Sequence, residues 1–233
     1  MNLELPTCTL VILLAMPVAA GEWTVTGETL TDVPIQVGGR LNLQGPLGLQ
    51  ASTSLGVLPG PYVDLINVIV VAAGGYDRQT ADLVKSSLRN SLIWRLHLGW
   101  KPWAEHGFYF EVGYTLAALG GGLEGEQLIT LSTGVEPPIT DPTSGREYEV
   151  SSMLHLIDLE LGWRWLLWRG LTIRLAAGFA GTLGAQTTVS PNYRPVAHQA
   201  VERFCQASAT YLDDIYTSYV FTPVFSVAAG WSF

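Results

Sequence analysis

The chain has 233 residues, enough for one domain with a sizeable interior, and 14% of them are charged against 48% hydrophobic. Ordinary soluble domains carry about 25% charged residues, so this composition, with eight Trp, nine Tyr and 25 Gly, suits a membrane or a β-rich fold. A net charge of −8 without any basic stripe excludes a nucleic-acid partner, which needs clustered Lys and Arg to displace counterions, and it argues against simple adsorption to anionic lipid.

Residues 1–20 read as a signal peptide, leaving 21–233 as the mature domain. Leu10 to Met16 is a short apolar core, and Val18-Ala19-Ala20 places small residues before a cut at Gly21. The n-region departs from the usual pattern, with Glu4 and no Lys or Arg; a buried first helix is the alternative. Cys8 precedes the apolar core, too early for a lipoprotein cysteine. The mature chain keeps Cys205 alone, so no internal disulfide, CxxC or zinc pattern is present, and no metal or cofactor is expected.

After the signal no apolar run of about 18 residues remains, the nearest being Leu65 to Ala73. A membrane location therefore requires a closed barrel, in which every backbone group finds a partner in another strand. A short first strand around Glu22 to Leu30 is expected on topological grounds. Ile35 to Leu43 then sets Ile35, Val37, Leu41 and Leu43 against Gln36, Gly38, Arg40 and Asn42, and Leu47 to Val57 carries Gln50, Ser52 and Ser54 on its polar face. Such period-two alternation marks a strand with one apolar and one polar side.

The connection near 59–90 predicts two helices. One runs from Pro61 to Ala73, ended by Gly74-Gly75; the second is capped by Asp77 and reaches Leu88, with Leu83, Val84 and Leu88 on its apolar side. Alternation resumes in Leu92 to Trp100, where Leu92, Trp94, Leu96, Leu98 and Trp100 oppose Ile93, Arg95, His97 and Gly99. In Phe108 to Leu116, Tyr109, Glu111, Gly113 and Thr115 form the second face. The next connection, 120–147, has Gly120-Gly121-Gly122 and Pro137-Pro138 but no following Lys-Ser/Thr, so it is a loop tip and not a phosphate loop.

Met153 to Trp165 places Asp158, Glu160, Gly162 and Arg164 opposite Ile157, Leu159, Leu161, Trp163 and Trp165. Leu171 to Phe179 places Thr172, Arg174, Ala176 and Gly178 opposite its apolar face. A third loop helix is predicted over Pro195 to Leu212, with Val196, Ala200, Val201, Phe204, Ala207 and Tyr211 near helical spacing. The three loop helices are expected to cover the barrel mouth. The final strand ends the chain at Phe233, with Pro223 near its outer end or at a bulge.

Short turns at 44–46, 101–106 and 167–170 alternate with long connections at 59–90, 120–147 and 189–216. Transmembrane barrels pair short periplasmic turns with long extracellular loops in this way. The predicted fold is thus all-β, an antiparallel transmembrane barrel of about eight strands with helical segments in its extracellular loops. Soluble sandwiches and lipocalin-like barrels are the competing class. Trp100, Trp103, Phe108, Trp163, Trp165, Trp168 and Trp231 cluster near strand ends and read as an interfacial girdle, with a carbohydrate platform as the alternative.

The stretch Val224 to Phe233 has a terminal Phe with aromatic or apolar residues at alternating positions before it. It resembles the ending of small bacterial outer-membrane barrels, which implies that Trp231 and Phe233 form a signal read by the barrel-assembly machinery. The resemblance implies membrane insertion and contact with outer-membrane lipid, not a specific activity.

In such a barrel Arg40, Arg95, His97, Glu111, Asp158, Glu160, Arg164 and Arg174 face a lumen that eight strands leave just wide enough for side chains. An ion-pair network serving as a structural plug is expected, since unpaired charges there are costly; a narrow gated pore or proton path is the alternative. The polar-face glycines Gly38, Gly99, Gly113, Gly162, Gly178 and Gly230 are expected to leave room for arginines and relieve curvature. The leading functional reading is a non-enzymatic envelope protein with a structural role or with loops presented to an extracellular or periplasmic partner. Binding or transport of a small hydrophobic molecule or lipid is the second. A lipid-modifying outer-membrane enzyme is the third, resting on His155 with Ser151, Ser152 and Glu149, with no GxSxG or HExxH motif present.

Overall fold

The structure is a computed structural model describing residues 23–72, 74, 78–88, 90–103, 106–122, 134–135, 148–193, 195 and 198–233. The predicted signal peptide, Cys8, the Asp77 cap, Val196 and Pro137-Pro138 lie outside these residues. Eight antiparallel strands, each paired with its chain neighbours, close into one barrel. They are β1 (Thr24–Val33), β2 (Gln36–Gln44), β3 (Leu49–Val57), β4 (Asn90–Trp100), β5 (Phe108–Gly122), β6 (Tyr148–Leu166), β7 (Leu171–Pro191) and β8 (Phe221–Ser232).

The β1–β8 register, Thr26 opposite Ser232 through Val33 opposite Phe225, completes the ring and puts both ends of the described chain at one rim. The β2–β3, β4–β5 and β6–β7 turns lie at that rim too, whereas the two-residue β1–β2 turn, Pro34-Ile35, lies at the opposite one. Two of them share one geometry: Leu47-Gly48 and Arg169-Gly170 each adopt positive φ in succession. Turns of that hand match the right-handed twist of the flanking strands, and they are locked by Gly45 N–H to the Leu49 carbonyl and Leu167 N–H to the Leu171 carbonyl, at 2.8 and 2.7 Å.

The strands differ greatly in length. β1, β2 and β3 have 10, 9 and 9 residues, whereas β5, β6 and β7 have 15, 19 and 21. Sequence alternation underestimates the tall strands because the polarity of their faces reverses near the top. On β6, Glu149 and Ser151 point outward while Val150 and Leu154 are buried; on β7, Gln186, Thr188 and Ser190 are exposed while Val189 is buried. Above the bilayer the apolar side belongs under the cap and the polar side in water, so the period persists with its sign inverted. Leu183 is the extra residue of a bulge at this level, since His155 pairs with Gly184 and Leu156 with Thr182.

Among the described residues three helices lie in the long connections: α1 (Gly60–Ala72), α2 (Arg78–Ser87) and α3 (His198–Tyr219). α3 starts and ends later than predicted and buries Val201, Phe204, Cys205, Ser208, Leu212, Ile215 and Tyr216. Predicted Ala200 is exposed instead. Spacings of three and four put that buried stripe on one face, which packs against β7. Asn67 of α1 donates to the Ala81 carbonyl of α2 at 2.8 Å, tying the first two helices together. Ile35 is also reassigned. It sits in the β1–β2 turn, buried with the apolar residues under the helices and not on the outer face.

Candidate functional site

The lumen is built by the inward side chains of all eight strands, and it has two layers. In the charged layer Arg95 is central. Its guanidinium bonds Asp32, reaches Asp158 at 3.0 Å and donates Nε–H to the Thr115 hydroxyl at 3.1 Å. Asp158 also pairs with His97 and accepts from Thr115 at 2.6 Å. Asp32 accepts from Gln36 at 2.8 Å and from Ser226.

Nearer the periplasmic rim, Arg40 pairs with Glu111, and Arg174 with Glu160. Arg174 also lies 3.2 Å from Glu28 and donates to Tyr109 and Ser226 at 3.0 and 2.9 Å. Tyr109 donates to Glu160 at 2.7 Å. Arg164 is 3.4 Å from Glu28, donates to Asn42 at 3.0 Å, and stacks over the Tyr109 ring at 5.5 Å. At this mouth the half-buried Lys101 has its ammonium pKa lowered, first by desolvation and then by the charge of Arg164.

All eight lumen residues singled out in the sequence therefore meet in one connected set. Sequence reasoning missed Glu28, Asp32, Gln36, Tyr109 and Ser226 as members. Glu28 and Asp32 sit on β1, whose outer face includes Gly27, Thr29 and Thr31, so the apolar half of its alternation is weak. Their signal was the period of two itself: Thr26, Glu28, Leu30 and Asp32 are all buried. Among the described lumen residues five carboxylates (Glu28, Asp32, Glu111, Asp158, Glu160) face four arginines (Arg40, Arg95, Arg164, Arg174), one acid in excess.

The glycines make the crossing possible, though not chiefly for arginines. A Cβ on Gly113 would strike His97 and Asp158, one on Gly162 the Tyr109 ring, and one on Gly99 the Glu111 side chain. Those on Gly38, Gly178 and Gly230 would strike the backbone of the adjacent strand, at Leu55, Leu159 and Gly27.

Above the charges the inward face turns apolar. Ile93, Ala117, Leu119, Leu154, Leu156 and Val224 are buried against Val63, Val84, Leu88, Phe204, Leu212, Ile215 and Tyr216 of the helices and their flanks. The helices form a cap. Between cap and charged layer lies an apolar cavity of about 70 Å³.

The proposed His155 cluster does not assemble. Ser152 faces inward and bonds Thr187 at 2.9 Å, while Ser151 and Glu149 face outward. His155 pairs with the Tyr114 hydroxyl on the outer wall. Among the described residues no group of His, Cys, Asp and Glu is placed to hold a metal.

The outer wall decides the class. Leu96, Leu98, Leu159, Leu161, Leu175, Phe225 and Val227 are 42–66% exposed around the middle of the barrel, while Arg95 and Arg174 are 0–1% exposed inside it. Ile157 to Trp165 alone spans about 20 Å, taking roughly 3.3 Å per residue and a tilt of about 40°. Trp100, Trp163, Trp165, Trp168 and Trp231 gather on the rim that holds both ends of the described chain and the β2–β3, β4–β5 and β6–β7 turns, as an interfacial girdle does. The molecule is an outer-membrane β-barrel.

No family model matches the chain, and no curated protein matches it either. Among solved structures it is similar to Acinetobacter baumannii CarO, at 11% identity and a TM-score of 0.39, over 90% of this chain and 97% of that one. A. baumannii CarO2 gives 10% and 0.39, over 90% and 98%. A major outer membrane protein from Thermus thermophilus gives 14% and 0.47, over 92% and 100%.

Proposed function

We propose that this protein is a sealed, non-enzymatic barrel of the outer membrane that holds a helical cap at the cell surface, with a structural or loop-presenting role there. The observation that carries this reading is the double closure of the lumen. The side chains of Arg40, Arg95, Glu111, Asp158, Glu160 and Arg174 are all at most 3% exposed, and the apolar layer under α1–α3 lies directly above them. Packing this close among the described lumen residues supports a barrel closed to hydrated ions.

Purified protein in planar bilayers is expected to give no steady conductance; reproducible single-channel steps would overturn the sealed-barrel reading in favour of a pore. A second reading, binding of a small apolar molecule, is favoured by the cavity between the layers. Assembly is proposed to depend on recognition of Trp231 and Phe233 by the barrel-assembly machinery. Phe233 is 81% exposed at the rim and is free to be engaged there.

A further inference from the structure

The barrel wall is low on one side. β1 pairs with β8 only up to Val33 opposite Phe225, and β2 with β3 only up to Val37 opposite Val57. β8 nevertheless continues outward through Val224, Pro223, Thr222 and Phe221, still paired with β7 as far as Gly181 opposite Phe221. Its other edge has no β1 partner over those four residues. An open edge is normally an invitation to a further strand; here Pro223, with no N–H to offer, lies within it.

α1 stands over this gap. Tyr62 bonds the Thr31 hydroxyl at the top of β1. Farther along the helix, Ile66, Ile69 and Val70 face Tyr219, Val220, Phe221 and Thr222 across a narrow apolar crevice. Three of those residues, Ile66, Val220 and Thr222, also line the cavity under the cap. The crevice and the cavity therefore share a wall of these three side chains. Outside, Leu65, Val68, Ile69 and Phe221 present an exposed apolar surface.

We propose that the seam between α1 and the outer end of β8 is a lateral portal, through which the methyl end of a lipid hydrocarbon chain passes from the membrane into the apolar cavity under the cap. This deepens the small-molecule reading and rests on the membrane location. The lining supports a hydrocarbon occupant: Ile93, Ala117, Leu119, Leu154 and Leu156 form its barrel wall, with Ile215 from α3. The Thr115 hydroxyl in its floor is already engaged with Asp158 and Arg95. Apolar cavities of this kind stay dry and accept apolar guests, an engineered one of about 150 Å³ taking benzene. At about 70 Å³ this one suits the last few carbons of a chain, with the polar end left at the membrane surface.

The test is photo-crosslinking on the full mature chain in nanodiscs, with two probes: palmitate bearing a terminal diazirine, and phosphatidylethanolamine bearing the same acyl chain. Adducts are expected at Ala117, Leu154 or Ile215 as well as at lipid-facing Leu159 and Leu175. Interior adducts with palmitate alone identify a free fatty acid as the source, and with both probes a lipid tail in general. Ala117→Phe, filling the cavity, and Ile69→Arg, charging the portal mouth, are each expected to abolish the interior adducts and leave the exterior ones. Adducts confined to the exterior in the unmodified protein overturn the portal, as do interior adducts that survive both substitutions. If Ala117→Phe fails to fold, the unmodified protein and Ile69→Arg decide. Absence of exterior adducts would instead count against the membrane location.

Discussion

Arg95 holds two carboxylates at once, Asp32 from β1 and Asp158 from β6, with 1% of its side chain exposed. Arg95→Met leaves both acids without their cation in a desolvated lumen, and breaking a buried pair this way costs about 3–5 kcal/mol. A lower urea midpoint for the variant in lipid vesicles is the expected result; an unchanged midpoint would show that water or a neighbouring charge replaces the guanidinium. That Arg95 and Asp158 face inward was legible from alternation alone. That they touch each other was not, because sixty-three positions separate them and the register of the intervening strands sets the contact. Asp32 was missed altogether, since the threonines on the outer face of β1 hide the contrast that marks the other strands.

At the scale of elements, the cap is held by packing between α3 and the barrel mouth. Leu212 and Phe204 are both 0% exposed, and Cys205 lies beside them. Burial pushes the Cys205 thiol up from its ordinary value. The thiolate is the reactive form, so a raised pKa means less of it at neutral pH. Maleimide labelling of Cys205, located by peptide mapping, is expected to be slow at pH 7 and to rise only at higher pH than for a free cysteine. Leu212→Ala should weaken the cap by about 2–5 kcal/mol. Faster labelling of Cys205 is then expected, with the SDS-resistant barrel retained. Simultaneous loss of that resistance would mean that cap and barrel fold as one unit. Helical segments in these loops were legible from spacing, but the α3 stripe was displaced because Ala and Tyr at helical spacing do not say which face meets the barrel.

For the whole molecule, the distribution of polarity defines the solvent: apolar outside, charged inside. A soluble barrel would have the reverse. Unboiled protein from outer-membrane fractions is therefore expected to migrate differently in SDS from boiled protein. Leu159→Arg places a charge on the lipid face and should cost about 2–4 kcal/mol near the bilayer midplane, read as reduced refolding into vesicles. Full refolding yield would mean that Leu159 lies near an interface. Deleting Phe233 is expected to lower the amount of assembled barrel in cells while leaving refolding in vitro nearly unchanged; normal assembly without it would remove the terminal residue from the recognition signal.

Seven strands and their two faces across the membrane were written in the alternation, because period two is a local property imposed by a bilayer on one side of a strand; the eighth, β1, was expected from topology alone. Three further features arise only when the ring closes. Folding joined Glu28, Asp32 and Tyr109 to the lumen network, inverted the polarity of β6 and β7 above the membrane, and left one edge of the outer end of β8 without a β1 partner beside α1. Each depends on strand register and on unequal strand length around a closed ring. Those quantities are fixed by all eight strands together, so no single stretch of sequence contains them.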